Sequence, residues 1–245
     1  MLKLLSVELL KIRRSLALLM MFVIPLVVVV LNVLIMVRQH ELPAITASHW
    51  AMYWYGSSGL WCYFMLPLYI ALITGLLNGQ EHRNQTWRMM LALPVSQLQL
   101  FVVKGFLAWL FVMGASTIMA LGAILGAGLL VLFGATAQGA VDFAMLPFMA
   151  KLAVSCLPVI AIQHAVSWRF QNIVLPLAIG VIATMGITQI GSSSSWVYYP
   201  WAYSLMAING AESASQDQAL MLAAGVGAAL FAASALVLGR REVTQ

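Results

Sequence analysis

Residues 81–104 read EHRNQTWRMMLALPVSQLQLFVVK, the one long amphipathic and charged stretch between two strongly apolar runs. Over 85–93, Trp87, Met90 and Leu91, with Met89 beside them, recur at helical spacing, while Asn84, Gln85 and Arg88 fall on the opposing face. This predicts a short helix lying along a surface. Pro94 has no amide hydrogen and biases its predecessor away from helix, so this helix ends at about Leu93. A second helix starts almost at once. Ser96 and Gln99 form a capping box, each side chain meeting an orphan amide of the other's turn, and Val95 and Leu100 stand where a hydrophobic staple closes over it. The stretch 81–98 is therefore an elbow, one arm flat on a surface and the next leaving it.

Composition says what that surface is. Of 245 residues, 63% are hydrophobic and 8% charged, and the mean hydropathy is +0.97, values that place the chain among integral membrane proteins. The net charge of +5 is explained by where the cations sit relative to a bilayer, with no need of a nucleic acid. Cys62 and Cys156 lie in apolar runs without metal-ligand spacing and read as small buried hydrophobes. His40, His49 and His82 read as solvated surface, and no spacing suggests a metal site.

In chain order, 1–15 sets leucines among Lys3, Glu8, Lys11, Arg13 and Arg14, with Leu2, Leu5, Leu9 and Ile12 on one helical face. It is either an amphipathic helix in the headgroup region or a charged flank that orients the next span. Spans are expected at 16–37, 60–77, 100–133, 144–166, 172–190 and 219–238. Pro25 and Asn32 interrupt the first and Pro67 the second, and the third exceeds the ~20 residues a bilayer core requires, so it tilts, bends or protrudes. Trp50, Tyr53, Trp54 and Tyr55 suggest an interface before span two. Gly122 and Gly126 give a GxxxG spacing for close helix approach, Lys151 can snorkel to a surface, and a turn is expected at 167–171. The aromatic block 196–203 is too short to cross and reads as a re-entrant or interfacial segment between spans five and six.

The fold class is thus all-α polytopic membrane protein in a single domain, 1–245. With six spans both termini share a side, together with Lys3, Lys11, Arg13, Arg14, Arg83, Arg88, Lys104, Arg169, Arg240 and Arg241; Arg38 and Lys151 face the other. The positive-inside rule makes the richer side, and with it the elbow, cytoplasmic. No GxxxxGK[ST] loop is present, so the chain has no means of hydrolysing ATP alone. Ionisable groups near mid-bilayer are scarce, His164 and Lys151 being the candidates, which argues against an ion-driven carrier. Energy is expected from a partner.

The ELLKIRRS at 8–15, Glu81 with Trp87, the LALPVS at 91–96, and Lys104 resemble the permease subunits of type-2 ABC exporters. Length and N-terminus resemble the small permeases of lantibiotic immunity and bacitracin resistance. The resemblance implies a coupling helix at the elbow that docks on a separate ABC ATPase subunit, which binds ATP and Mg while this chain binds no cofactor itself. Glu81, Arg83, Trp87, Arg88, Leu91, Pro94 and Ser96 are the matching coupling residues, the apolar face acting as docking ridge, the charges orienting it and Pro94 with Ser96 stiffening it. It also implies a second copy or homologous permease, a bacterial cytoplasmic membrane, and export. The low charge of the spans suits a hydrophobic or amphipathic substrate, a peptide antibiotic or lipid-like molecule.

Other readings stand beside this one. The elbow helix is equally suited to lie on membrane lipid alone. The chain is alternatively a membrane anchor that holds a soluble partner without transporting. Gly56-Ser57-Ser58-Gly59 matches the GxSG string of rhomboid intramembrane proteases, whose chemistry needs a serine at a helix start facing a histidine. In the six-span topology Ser58 and His164 sit at opposite ends of the bilayer.

Overall fold

The computed structural model describes residues 2–13, 15–83, 96–170, 172–190 and 193–242, and among these every regular element is helical. Helix α1 is Leu2–Ile12 and α2 is Leu16–Gln39; α3, Ala47–Leu60, runs through a π-helical segment, Trp61–Met65, into α4, Leu66–Arg83. Next come α5, Gln97–Leu132; α6, Met145–Ser155; α7, Leu157–Arg169; α8, Val174–Ile190; short 3-10 turns at Ser194–Tyr198 and Pro200–Ala202; α9, Tyr203–Asn209; and α10, Ser213–Glu242. Four helical stretches among the described residues are long and apolar enough to cross a bilayer: Leu16–Gln39, Ala47–Gly79, Gln97–Leu132 and Ser213–Val237. The pair α6 and α7, bent by 44°, makes a fifth, and α8 is a shorter apolar helix. Their outward faces carry apolar side chains such as Leu125, Ile182 and Met221, each about 70% exposed. This is the surface of a multi-pass membrane protein, in which lipid takes the place of water.

Local chemistry explains the helix ends and breaks. Ser96 Oγ accepts from Gln99 N–H at 3.1 Å and Gln99 Oε1 accepts from Ser96 N–H at 3.3 Å, so the expected capping box does start α5. At 36 residues α5 is ~54 Å long at 1.5 Å per residue. It stops at Gly134, whose φ of +110° is open to glycine without strain. Pro67 does not break α4. The π turn ahead of it, closed by Leu66 N–H on Trp61 C=O, absorbs one extra residue before the proline. Pro158, in the first turn of α7, marks the break from α6.

Packing is close where glycines line α5. A Cβ on Gly122 would lie 3.1 Å from Val29 Cγ2, and one on Gly126 2.8 Å from Val33 Cγ2 and 2.9 Å from the Tyr53 hydroxyl. With Gly114 against Met21, they form a stripe along which α2 and α5 run side by side. The GxxxG thus seats a helix of the same chain. Within the bundle several polar side chains are paired across helices: Asn32 Nδ2 donates to Ser57 Oγ at 2.6 Å, Trp61 Nε1 to Ser116 Oγ at 3.1 Å, and Tyr69 OH to Phe111 C=O at 3.3 Å. Without water as competitor, such bonds and close contacts hold spans together.

Several local expectations change. The stretch before span two is helical from Ala47, and Trp50, Tyr53 and Trp54 are buried, Tyr55 alone of the four being exposed. The reason is cross-chain bonding: Trp50 Nε1 donates to Thr136 C=O and Tyr53 OH to Ala123 C=O, both at 2.9 Å, and Trp54 stacks on Phe143. Ser167, Trp168 and Arg169 continue α7 and form no turn. Lys151 is tied by its ammonium to Gln216 Oε1 at 2.6 Å. On α1 the inward face holds Glu8 and Ile12, whereas Leu9 is exposed.

Candidate functional site

The stretch read as an elbow lies in sequence between the end of α4 and the start of α5. Glu81 and Arg83 occupy the last turn of α4, and only their helical backbone is described. Trp87, Arg88, Leu91 and Pro94 lie outside the described residues. Ser96 is the N-cap of α5. What the structure shows is how the two roots of the elbow are fastened to the rest of the chain.

Lys104 lies two turns into α5, with its side chain 2% exposed, in a position apolar on most sides. A buried ammonium is destabilising unless paired and hydrogen-bonded. Both conditions are met. Its Nζ lies 3.1 Å from Glu8 Oε2 of α1, itself 2% exposed, and donates to the Leu77 carbonyl of α4 at 2.6 Å. That carbonyl has a second lone pair to give beyond its helical bond. Lys11 binds the other Glu8 oxygen at 2.6 Å. One cation therefore ties α1, α4 and α5 together. Burial pushes the Glu8 carboxyl up, but the charge of Lys104 and the hydrogen bond and charge of Lys11 outweigh it and hold the group below its ordinary 4.5.

The next residue of α4 carries a second tie. Asn78 Nδ2 donates to Ser167 Oγ at 2.6 Å and to His164 Nδ1 at 3.1 Å. Because Asn78 offers a donor, His164 Nδ1 is the acceptor, and the ring proton sits on Nε2, which donates to the Phe101 carbonyl at 3.0 Å. The imidazole is neutral and saturated. It also packs on the Phe101 ring, with centroids 4.3 Å apart. Asn78 Oδ1 is buried with no partner among the described residues. α4, α5 and α7 are thus joined within one turn of the Lys104 tie.

This arrangement holds helices together. Ser58, the other candidate, lies inside α3; its Oγ donates to Trp54 C=O at 3.0 Å and receives Asn209 Nδ2 at 3.1 Å, with no histidine bonded to it. His164 is engaged with Asn78 and Phe101, so the serine–histidine pairing of a rhomboid-type protease is absent from these residues. Among the described residues no group of three or more His, Cys, Asp or Glu stands ready to hold a metal.

Lys104 and Glu8 were visible in the sequence as parts of separate motifs, but nothing there joined them. Asn78 and Ser167 gave no signal beyond being polar near the end of an apolar run.

The family model described as ABC-2 family transporter protein matches residues 4–187, which include both ties. Searches of curated proteins and of solved structures find no significant match.

Proposed function

The chain belongs to the ABC-2 transporter family, and from that premise we propose that it is the six-span permease subunit of an ABC exporter, driven by ATP hydrolysis on a separate subunit. In this reading α2, α3 with α4, α5, α6 with α7, α8 and α10 are the six spans, and 196–203 with α9 forms the re-entrant or interfacial segment. Both termini and the elbow face the cytoplasm of a bacterial cell. The coupling helix carries Trp87 and Leu91 on its docking ridge, with Glu81, Arg83 and Arg88 as orienting charges; Pro94 and the Ser96 cap make the turn stiff. Two permeases, identical or homologous, enclose the pathway, and the ATPase alone binds ATP and Mg. The substrate is hydrophobic or amphipathic, a lipid-like molecule or membrane-active peptide such as the antibiotics handled by immunity and resistance permeases.

The observation that supports coupling most is the pair of ties at the elbow roots. Displacing the elbow strains Lys104–Leu77 and Asn78–His164 together, so motion of one short helix is passed to α1, α4, α5 and α7 as a unit. A photo-crosslinking residue in place of Trp87 tests it in cells. Crosslinking to a subunit with a GxxxxGK[ST] loop is expected from position 87 and not from position 55 at the other end of the bundle. Capture from position 55 alone would reverse the orientation, and capture from neither would remove the ATPase from the scheme.

A further inference from the structure

We infer that the seam between α5, α7 and α10 is a binding site for one anionic phospholipid, its acyl chains in an apolar groove and its phosphate at Arg169. The same three helices line two consecutive openings. The inner one, about 460 Å³, has Gly105, Phe106 and Trp109 on α5, Ala161 on α7, and Ala228 and Phe231 on α10. Its one polar side-chain group, the Trp109 N–H, is spent on the Ala153 carbonyl at 3.0 Å. The outer opening, about 450 Å³, follows one turn further along each helix and ends at Gln97, Trp168, Arg169 and Ser234. Chemistry therefore changes along the seam from wholly apolar to polar and cationic.

Its dimensions fit a lipid of one leaflet. From Trp109 to Gln97 is twelve residues of α5, ~18 Å of rise, and half of a ~30 Å hydrocarbon core is ~15 Å. The seam thus reaches from the membrane surface to about mid-depth. That depth matches the acyl chains of one leaflet, and the polar end lies where a headgroup would be.

Charge selects the headgroup. Arg169 is the exposed last residue of α7, and no carboxylate among the described residues lies within ion-pair range of it. A guanidinium presents the planar fork that a phosphate accepts. Trp168 beside it packs edge-on against Phe101 at 5.2 Å and has the amphipathic character favoured at headgroup depth.

Native mass spectrometry of the purified full chain in detergent, titrated with phosphatidylglycerol or phosphatidylcholine, tests this without any ATPase or nucleotide, so its outcome is independent of the proposed coupling. Wild type is expected to retain one phosphatidylglycerol in clear preference to phosphatidylcholine. Arg169→Gln should lower phosphatidylglycerol retention at least fivefold and leave phosphatidylcholine unchanged; Ala228→Phe, which fills the groove from an exposed position, should lower both. Ala229→Phe, exposed on the face of α10 away from the groove, should change neither and controls for folding. Retention unaffected by both groove variants, or equal retention of the two lipids, would overturn the assignment. So would a shift from dimer to monomer in Ala228→Phe with lipid retention intact, which would give the seam to a second copy.

Discussion

Lys104 is a charged side chain made tolerable inside the bundle by partners that include Glu8 and the Leu77 carbonyl. Because Glu8 and the Leu77 carbonyl meet it directly, removing either charge takes from the other a buried ion-pair partner, Glu8 then keeping the partly exposed Lys11. Breaking such a pair typically costs ~3–5 kcal/mol, whereas replacing both members with apolar groups is often close to neutral. Lys104→Met and Glu8→Gln should each lower the thermal midpoint of the solubilised protein markedly, and Glu8→Leu with Lys104→Met should recover most of the loss. Strictly additive losses would show that the two residues act separately. The pH dependence has a fixed sign. Glu8 has a folded-state value depressed below 4.5, so its contribution is complete above the ordinary carboxylate range and is lost as pH falls through the depressed value. Protection of α1 from proteolysis should therefore hold from pH 7 to pH 5 and fail only in stronger acid. Failure near pH 6 would point to some other titrating group.

At the scale of the element, α5 decides most of the packing through its glycines, and two of them make a controlled comparison. Gly126 faces Val33 and the Tyr53 hydroxyl at distances a Cβ cannot share, while Gly128 has nothing within 4 Å of its would-be Cβ. Gly126→Ala should destabilise by ~1–3 kcal/mol through overpacking against α2. Gly128→Ala should be neutral or stabilising by up to ~1 kcal/mol, since alanine loses less backbone freedom in a helix. Thermal midpoints of the two variants check the contrast, and equal shifts would mean that α2 does not rest on this stripe. The start of α5 could be read from the sequence because a capping box is local, its partners three residues apart. The GxxxG was legible as a close-approach site, but its partner helix was not. Nor were the aromatics of α3 readable as buried, because Trp50 finds its acceptor 86 residues away.

For the whole molecule, composition and hydropathy revealed a multi-pass helical membrane protein, since lipid imposes one pattern on every span. The ties that frame the elbow were not legible, because Asn78 and His164 are also 86 residues apart and helical periodicity reports only which face is apolar. The family match carries the chain to a transporter, and the two ties lock 77–78 and 101–104, on either side of the stretch 84–95, to α1 and α7. In the proposed reading, coupling requires that the stretch 84–95 hold an ATPase. The direct measurement is co-purification of the solubilised chain from its own host, wild type beside a Trp87→Ala, Leu91→Ala double variant, with bound subunits identified by mass spectrometry. Wild type is expected to bring down an ATP-binding subunit carrying a GxxxxGK[ST] loop in near-stoichiometric amount, and the variant to lose it at equal yield of the membrane chain. An ATPase retained equally by both, or recovered with neither, would contradict the coupling role of the elbow.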